Sequence, residues 1–277
     1  MKPRWRIASR PRNAAVGLAL CALTLSQGAR ATDLTFTGYA RDIKTRELLY
    51  IESHFVRGYG TAEEARVVQY RCAAGGTTFA RKELRYGAVR EEPEFTFIDG
   101  RSGYTEGLKR APTGPRVFQR PGADIPLREA SVPANVVIVS DAGFDEFVRK
   151  HWTELEAGGT LRFPFLVPSR LDFLSFKVSK DREDTIEGAA VAVIRLNLSG
   201  FLGWFLPYIE VSYRKSDQVL MRYKGLTNIR DTAGGNVTAL IEFPARERVS
   251  SAPGSVDLAA QKSVTLVTNC ATARVSR

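Results

Sequence analysis

Apolar and polar residues alternate along most of the chain after residue 31, in runs that short polar turns separate. The run Leu34–Ala40 is followed by a charged turn and then by Leu48–Val56. The same order of strand, turn and strand recurs at residues 67–86 and 209–223. Alternation with one apolar face is typical of antiparallel sheets that are wet on the other face. The pattern therefore predicts a sheet built from consecutive hairpins.

One segment has the spacing of a helix instead. Apolar residues recur there every three or four positions, at Phe144, Phe147, Val148, Trp152 and Leu155. Such a stripe predicts one amphipathic helix that buries a single side. Ser140 or Asp141 is expected to cap its first turn, and the glycine pair at 158–159 is expected to end it.

The rest of the pattern completes the predicted fold. Five prolines between residues 110 and 135 predict a long connection with few ladder hydrogen bonds. Further strands are predicted between residues 161 and 198, at 236–243 and, as a final strand, at 264–270. Together these elements predict an α+β, predominantly antiparallel β fold, a curved sheet or half-barrel with one amphipathic helix against its concave face.

The first 31 residues have the three parts of a secretory signal peptide in the right order. Five basic residues between positions 2 and 12 precede an apolar run of 13 residues, Ala14–Ser26, and Ala29-Arg30-Ala31 supplies small residues for cleavage. The apolar run is too short to span a bilayer as a helix. We therefore expect residues 1–31 to be removed and the mature chain to have no transmembrane span.

Removal of this segment changes the charge of the protein. Six of the 40 basic residues lie in residues 1–31, which contain no acidic residue, so the remainder has 34 basic and 30 acidic residues. This near balance, in place of the +10 of the whole chain, gives no electrostatic reason to expect a polyanionic partner. No nucleic-acid partner is predicted.

Two cysteines remain after the predicted cleavage, Cys72 and Cys270. Exported proteins pass through an oxidising compartment, where an even pair of cysteines favours a disulfide. Both residues end alternating segments, which allows them to face the same layer. The alternative is a pair of separate buried thiols. A Cys72–Cys270 bridge would tether the C-terminal tail, residues 245–277, to the body of the protein.

Catalytic and metal-binding patterns are sparse. The two histidines are His54, which shares a strand face with Glu52 and Tyr50, and His151 on the predicted helix. A structural polar pair is commoner than a catalytic one at a position such as His54. No spacing of His, Cys and carboxylates indicates zinc, and no glycine-rich phosphate loop or nucleophile elbow is present. The sequence therefore predicts no cofactor, no metal and no catalytic residue.

The stretch NLSGFLGWFLPYIE, residues 197–210, carries no charge before Glu210. Its large apolar residues, which glycines and a proline interrupt, are Phe201, Leu202, Trp204, Phe205 and Leu206. Its uncharged length is too short for a transmembrane helix. Two interpretations stay open: a turn that fills the core, or a partly exposed lid over a ligand.

The order of these elements resembles known envelope proteins. An exported chain with consecutive long strands and a helix on their inner side resembles the lipoprotein-carrier half-barrel of bacterial envelopes. The segment from Leu220 to Asp231, together with Ile241–Pro244, resembles uncharacterised proteobacterial periplasmic proteins. The second resemblance covers residues 34–244 and implies a periplasmic location, with no activity attached.

These observations favour a periplasmic, non-enzymatic protein with a single half-barrel domain at residues 32–244. We expect it to bind an apolar ligand, a lipid or acyl chain, or else an envelope protein. The expected ligand contacts are residues 201, 202 and 204–206 with Phe144, Phe147, Val148 and Trp152 of the helix. An envelope enzyme with a site of scattered Glu, Tyr and Arg residues, and a structural envelope factor without a ligand, are the alternatives.

Overall fold

A computed structural model describes residues 31–133, 136–199 and 208–270. In these residues one sheet contains fifteen strands, and every strand pair in it is antiparallel. The strands are β1 (Thr32–Asp42), β2 (Leu48–Tyr59), β3 (Ala65–Cys72), β4 (Thr78–Arg85), β5 (Glu94–Asp99), β6 (Tyr104–Ala111), β7 (Gly114–Arg120), β8 (Arg128–Ser131), β9 (Thr160–Val167), β10 (Asp172–Ile186), β11 (Ala189–Leu198), β12 (Ile209–Arg214), β13 (Leu220–Arg230), β14 (Asn236–Glu242) and β15 (Val249–Ser251).

The strands form two meanders that meet in the middle of the sheet. The first runs from β1 outward to β8, and the second runs from β9 inward to β14, which pairs with β1. The end strands of this order are therefore β8 and β9, and the segment between them in sequence carries the first two helices. The turn at Pro168–Arg170 contacts β6 and β7 across the gap. The sheet is curved and does not close, which confirms the predicted half-barrel with a helix.

The predicted long connection at residues 110–135 is wrong. The segment contains the β6–β7 hairpin and the short edge strand β8. Pro115 lies in β7 opposite Arg110, and its carbonyl accepts a hydrogen bond from the Val132 N–H at 2.9 Å. A proline near the start of a strand keeps its acceptor and loses only a donor. Proline density alone therefore did not exclude a strand here.

The single helix predicted after residue 140 is divided in two. Helix α1 spans Gly143–Lys150 and α2 spans Trp152–Glu156, with His151 outside helical geometry at φ −104° and ψ 19°. The predicted cap by Ser140 or Asp141 is also wrong, because Ala142 is the N-cap and no side chain caps it. Acidic side chains nevertheless lie in the first turn of α1, where the helix dipole favours them.

The C-terminal segment runs along the body of the sheet. β15 pairs with β1, and helix α3 (Leu258–Ser263) contacts β2 and β3. Val256 and Leu258 pack against Val67 of β3. Val67 points to the face of β3 opposite the cavity described in the next subsection. Residues 264–270 form no strand, contrary to the expectation, although the Val267 N–H donates to the Thr78 carbonyl.

A disulfide joins Cys72 at the end of β3 to Cys270, with the two Cα atoms 5.5 Å apart. The predicted bridge is confirmed. Among the residues that the structure describes, no helix has both the length and the apolar character needed to cross a bilayer.

Candidate functional site

A cavity of about 390 Å³ lies between the two halves of the sheet, β1–β6 on one side and β9–β14 on the other. Pockets of a few hundred Å³ are the usual size for small-molecule sites. In the described residues, the β9–β14 half contributes no charged side chain to its lining. The apolar wall of that half is built mainly from Phe165, Leu196, Ile209, Val211 and Leu220.

The opposite half of the cavity carries a polar wall. Opposed residues of neighbouring strands point to the same side of a sheet. Across β2–β6 the register forms one such row, which consists of His54, Val68, Lys82, Phe97 and Glu106. Glu52, two positions before His54, has the same orientation. The polar wall is thus a group of charged residues that point into the cavity. The equivalent inward positions on neighbouring strands are occupied by apolar side chains.

Lys82 is the centre of the polar wall. Its Nζ donates to Asp141 Oδ2 at 2.7 Å and to Asn228 Oδ1 at 3.4 Å, and its side chain is only 10% exposed. Burial alone would lower the pKa of Lys82, but the Asp141 carboxylate outweighs it, so the pKa is raised and the ammonium is retained. Lys82 thus links β4 to β13 and to the segment before α1.

The backbone before α1 holds Asp141 in place. Asp141 has φ 44°, in the left-handed region that Asp and Asn tolerate better than most residues. The Ser140 N–H donates to the Glu91 carbonyl at 3.0 Å. At Gly143 an added Cβ would lie 2.0 Å from the same Glu91 oxygen, so only glycine fits there. The turn therefore depends on a close approach to residues 91–93.

Glu106 accepts hydrogen bonds from two uncharged groups. Its carboxylate accepts a hydrogen bond from the Tyr104 hydroxyl at 2.6 Å and from Asn228 Nδ2 at 2.6 Å. Burial raises the pKa of Glu106, and these two donors only partly offset it. Asn228 therefore bridges Glu106 and Lys82, with its amide nitrogen toward the first and its oxygen toward the second.

Glu52 and His54 form the third part of the polar wall. Glu52 Oε2 is 2.9 Å from His54 Nε2, and the imidazole stacks on Phe36 with the ring centres 4.2 Å apart. Burial lowers the pKa of His54, against the opposing effect of Glu52. The histidine is therefore neutral at pH 7 and supplies a hydrogen bond without a positive charge.

The structure describes four of the residues predicted to contact a ligand, Phe144, Phe147, Val148 and Trp152. Phe144 of α1 lines the cavity. Phe147 packs on Phe163 with ring centres 4.3 Å apart, Val148 is fully buried, and Trp152 lies edge-on to Tyr213. Phe201, Leu202, Trp204, Phe205 and Leu206 lie outside the described residues. Their role stays a prediction.

Sequence reasoning missed Lys82, Glu106, Asp141 and Asn228. A signal for two of them was present: Lys82 lies between Ala80 and Leu84 at an inward position, and Glu106 lies between Tyr104 and Leu108 in the same way. A charged residue that interrupts the apolar side of a strand is costly unless it is paired. That interruption is a sign of a buried polar site.

The polar groups of this arrangement are hydrogen-bonded mainly to one another. Each of the Glu106 oxygens has a hydrogen-bond donor, and Asp141 accepts from Lys82 and from the Ala142 N–H. Within the described ranges no three His, Cys, Asp or Glu side chains are grouped as a metal site.

Comparison with known proteins gives a likeness of fold only. No family model matches the chain, and no curated protein matches its sequence. A crystal structure of a "beta-barrel-like protein of domain of unknown function DUF1849" from Brucella abortus has a TM-score of 0.46 and 8% identity, covering 79% of this chain and 96% of that one. A DUF1329 family protein from Desulfovibrio piger has a TM-score of 0.32 and 8% identity, covering 86% and 92%. At these values neither likeness carries an activity to this chain.

Proposed function

We propose that the protein is an exported, periplasmic, non-enzymatic binding protein whose cavity holds an amphiphile with a lipid or acyl chain. Residues 1–31 act as its signal peptide. The chain of the ligand lies against β9 and β11–β13, and its head group lies against the polar wall. The observation that carries this proposal is the segregation of charge in the cavity lining: among the described residues every charged side chain comes from β2–β6 or residues 141–145, and β9 and β11–β12 contribute apolar ones.

An acyl chain gains free energy by leaving water for the apolar wall, at about 25 cal/mol per Å² of buried apolar surface. The side chains on that wall are already fixed by their strands: Leu196 and Ile209 are the last opposed pair of β11 and β12, and Val211 is opposite Ile194. A preformed wall loses little conformational entropy on binding. A wall that is formed before the ligand binds favours a protein that stores or transports its ligand. It argues against a site that the ligand itself assembles.

Filling the cavity should abolish ligand uptake. Val211 lines the apolar wall and is 3% exposed, so Val211→Phe directs a ring into the space that the chain would occupy. We expect the affinity for a neutral apolar fluorophore, N-phenyl-1-naphthylamine, to fall by about tenfold or more, which corresponds to about 1.4 kcal/mol. Equilibrium fluorescence titration of the mature protein measures this change.

The matched control is Val249→Phe, since Val249 is 56% exposed in β15 and lies outside the cavity. Its affinity for the fluorophore should equal that of the wild type. Overpacking costs about 1–3 kcal/mol, so chemical unfolding must show that Val211→Phe is folded. A folded Val211→Phe protein that binds the fluorophore as tightly as the wild type contradicts the proposal.

An envelope enzyme is the second candidate, because Glu52, Glu106, Asp141 and Lys82 line one cavity. Convergent buried carboxylates are a recognised sign of a catalytic site. The hydrogen bonds described above already occupy Glu106, Asp141 and Lys82, which favours binding. Recovery of a chemically altered ligand after incubation with the protein, and not with Glu106→Gln, would support the enzyme instead.

A further inference from the structure

Glu52 has a free oxygen inside the cavity. The residue is 7% exposed, lines the cavity and uses Oε2 for its contact with His54. Among the described residues Oε1 accepts no hydrogen bond, and no lysine or arginine lies within 4.0 Å of the carboxylate. A buried carboxylate normally requires both a cation and a full set of donors. Glu52 has neither in the part of the chain that the structure describes.

The neighbouring cations are in direct contact with other carboxylates, and the attraction between Lys82 and Glu52 acts without such contact. Lys82, the nearest cation of the row, is paired with Asp141 at 2.7 Å. His54 is neutral, for the reason given above. Arg66 also lines the cavity, and its Nε donates to Glu64 Oε1 at 2.5 Å. Its Nη2 has no hydrogen-bond partner among the described residues, but it lies 3.9 Å from the Glu146 carboxylate, so its charge is directed toward Glu64 and Glu146.

The charge of the whole lining points in the same direction. Among the described residues four carboxyl groups line the cavity, those of Glu52, Glu106, Asp141 and Asp145, against the two cations Lys82 and Arg66. Burial raises the pKa of Glu106, and even with this group protonated three carboxylates remain. Outside this lining, the acidic Glu64 and Glu146 contact the basic Arg90 and Arg149. The space between the two walls therefore has an excess of negative charge in surroundings of low polarity, where charge interactions are strong.

We infer that the head group of the ligand is positively charged and donates hydrogen bonds, as a primary ammonium does, and that it binds Glu52 Oε1. This inference rests on the proposed function and specifies its ligand. An ammonium supplies both things that Glu52 lacks, a cation and a donor. A carboxylate or phosphate head group would instead meet the excess of carboxylates, with Lys82 already committed to Asp141. An uncharged glycerol head group supplies donors without the charge.

Three competitors with the same twelve-carbon chain test the inference: dodecylamine, monododecanoylglycerol and dodecanoic acid. At pH 7 the amine is protonated and the acid is ionised. We expect dodecylamine to displace N-phenyl-1-naphthylamine from the wild-type protein at a concentration about tenfold lower than dodecanoic acid. Monododecanoylglycerol should lie between them. All titrations are run below the concentration at which each competitor forms micelles.

Glu52→Gln keeps the shape of the side chain and removes its charge, so it should reduce the preference for the amine over the acid by about tenfold. Glu242→Gln is the control, because it removes the same charge from a glutamate that pairs with Arg41 and Arg46 and lies outside the cavity lining. It should leave the preference unchanged.

The possible results separate the two proposals. If the fluorophore does not bind, or no competitor displaces it, the proposed function is wrong. If the fluorophore binds and dodecanoic acid displaces it as well as dodecylamine, the head-group inference is wrong and the proposed function stands. An unchanged preference in Glu52→Gln also overturns the inference. The wild-type ranking decides the question even if Glu52→Gln fails to fold.

Discussion

Replacement of Lys82 by methionine should lower the free energy of unfolding by about 3–5 kcal/mol, because it leaves a buried carboxylate without its cation. Asp141 is the carboxylate that loses its cation: its side chain is 6% exposed and its Oδ2 is 2.7 Å from Lys82 Nζ. Methionine keeps the length of the aliphatic stem, so little packing is lost. Urea unfolding of the mature protein, followed by tryptophan fluorescence, measures the change.

The control for this effect is the double variant Lys82→Met/Asp141→Asn. Asparagine tolerates the left-handed backbone at Asp141 as aspartate does, and a neutral pair can replace a buried ion pair at little cost. We expect the double variant to recover most of the lost stability. If Lys82→Met alone costs less than about 1 kcal/mol, the pair resembles an exposed salt bridge and the polar wall is not buried as described.

Removal of the disulfide should produce the other large loss of stability. Cys72 and Cys270 are 198 positions apart, and the entropy of closing so long a loop gives an upper estimate of about 5 kcal/mol. We expect Cys72→Ser/Cys270→Ser to lower the free energy of unfolding by about 3–5 kcal/mol. The loss should be largest for the C-terminal segment, which contacts β2 and β3 through α3. Hydrogen exchange of residues 256–270 reports that loss directly.

Chemical reduction of the wild type supplies the control for the serine variants. Since both treatments remove the same bond, wild type in excess thiol reductant and the double serine variant should unfold at the same denaturant concentration. A double serine variant with wild-type stability, and with unchanged exchange in residues 256–270, would show that the bridge does not anchor this segment.

The strands were predictable because their signal is local. Leu34–Ala40 and Val67–Cys72 each show the two-residue period within their own few residues. The period is present because one face of each strand is buried and must be apolar. The failures occurred where a local signal has two meanings. Pro115 breaks a ladder only when its missing N–H is needed, and the helical stripe at residues 144–155 does not reveal that the backbone departs from the helix at His151.

The disulfide was predicted correctly for a reason that was partly wrong. The even number of cysteines and the expected export indicated a bridge. The supporting argument placed Cys270 at the end of a strand, whereas residues 264–270 form no strand and reach Cys72 along an irregular path. Parity is a property of composition and does not depend on local structure.

The polar wall of the cavity was not predictable from any single segment. Glu52 and Glu106 lie 54 positions apart, and their shared orientation depends on the register of four successive strand pairs. Asp141 and Asn228 reach the wall from a turn and from β13, on the far side of the sheet order. These four residues come together only because the two halves of the sheet curve around the same cavity.

Native mass spectrometry of the protein purified from an envelope fraction without detergent tests the central claim most directly. We predict that the wild type and Val249→Phe retain a bound amphiphile, visible as a discrete mass above that of the mature chain, and that Val211→Phe does not. The same adduct on all three proteins would place the ligand outside the cavity. A wild-type protein that carries no adduct and also binds no N-phenyl-1-naphthylamine would contradict the account.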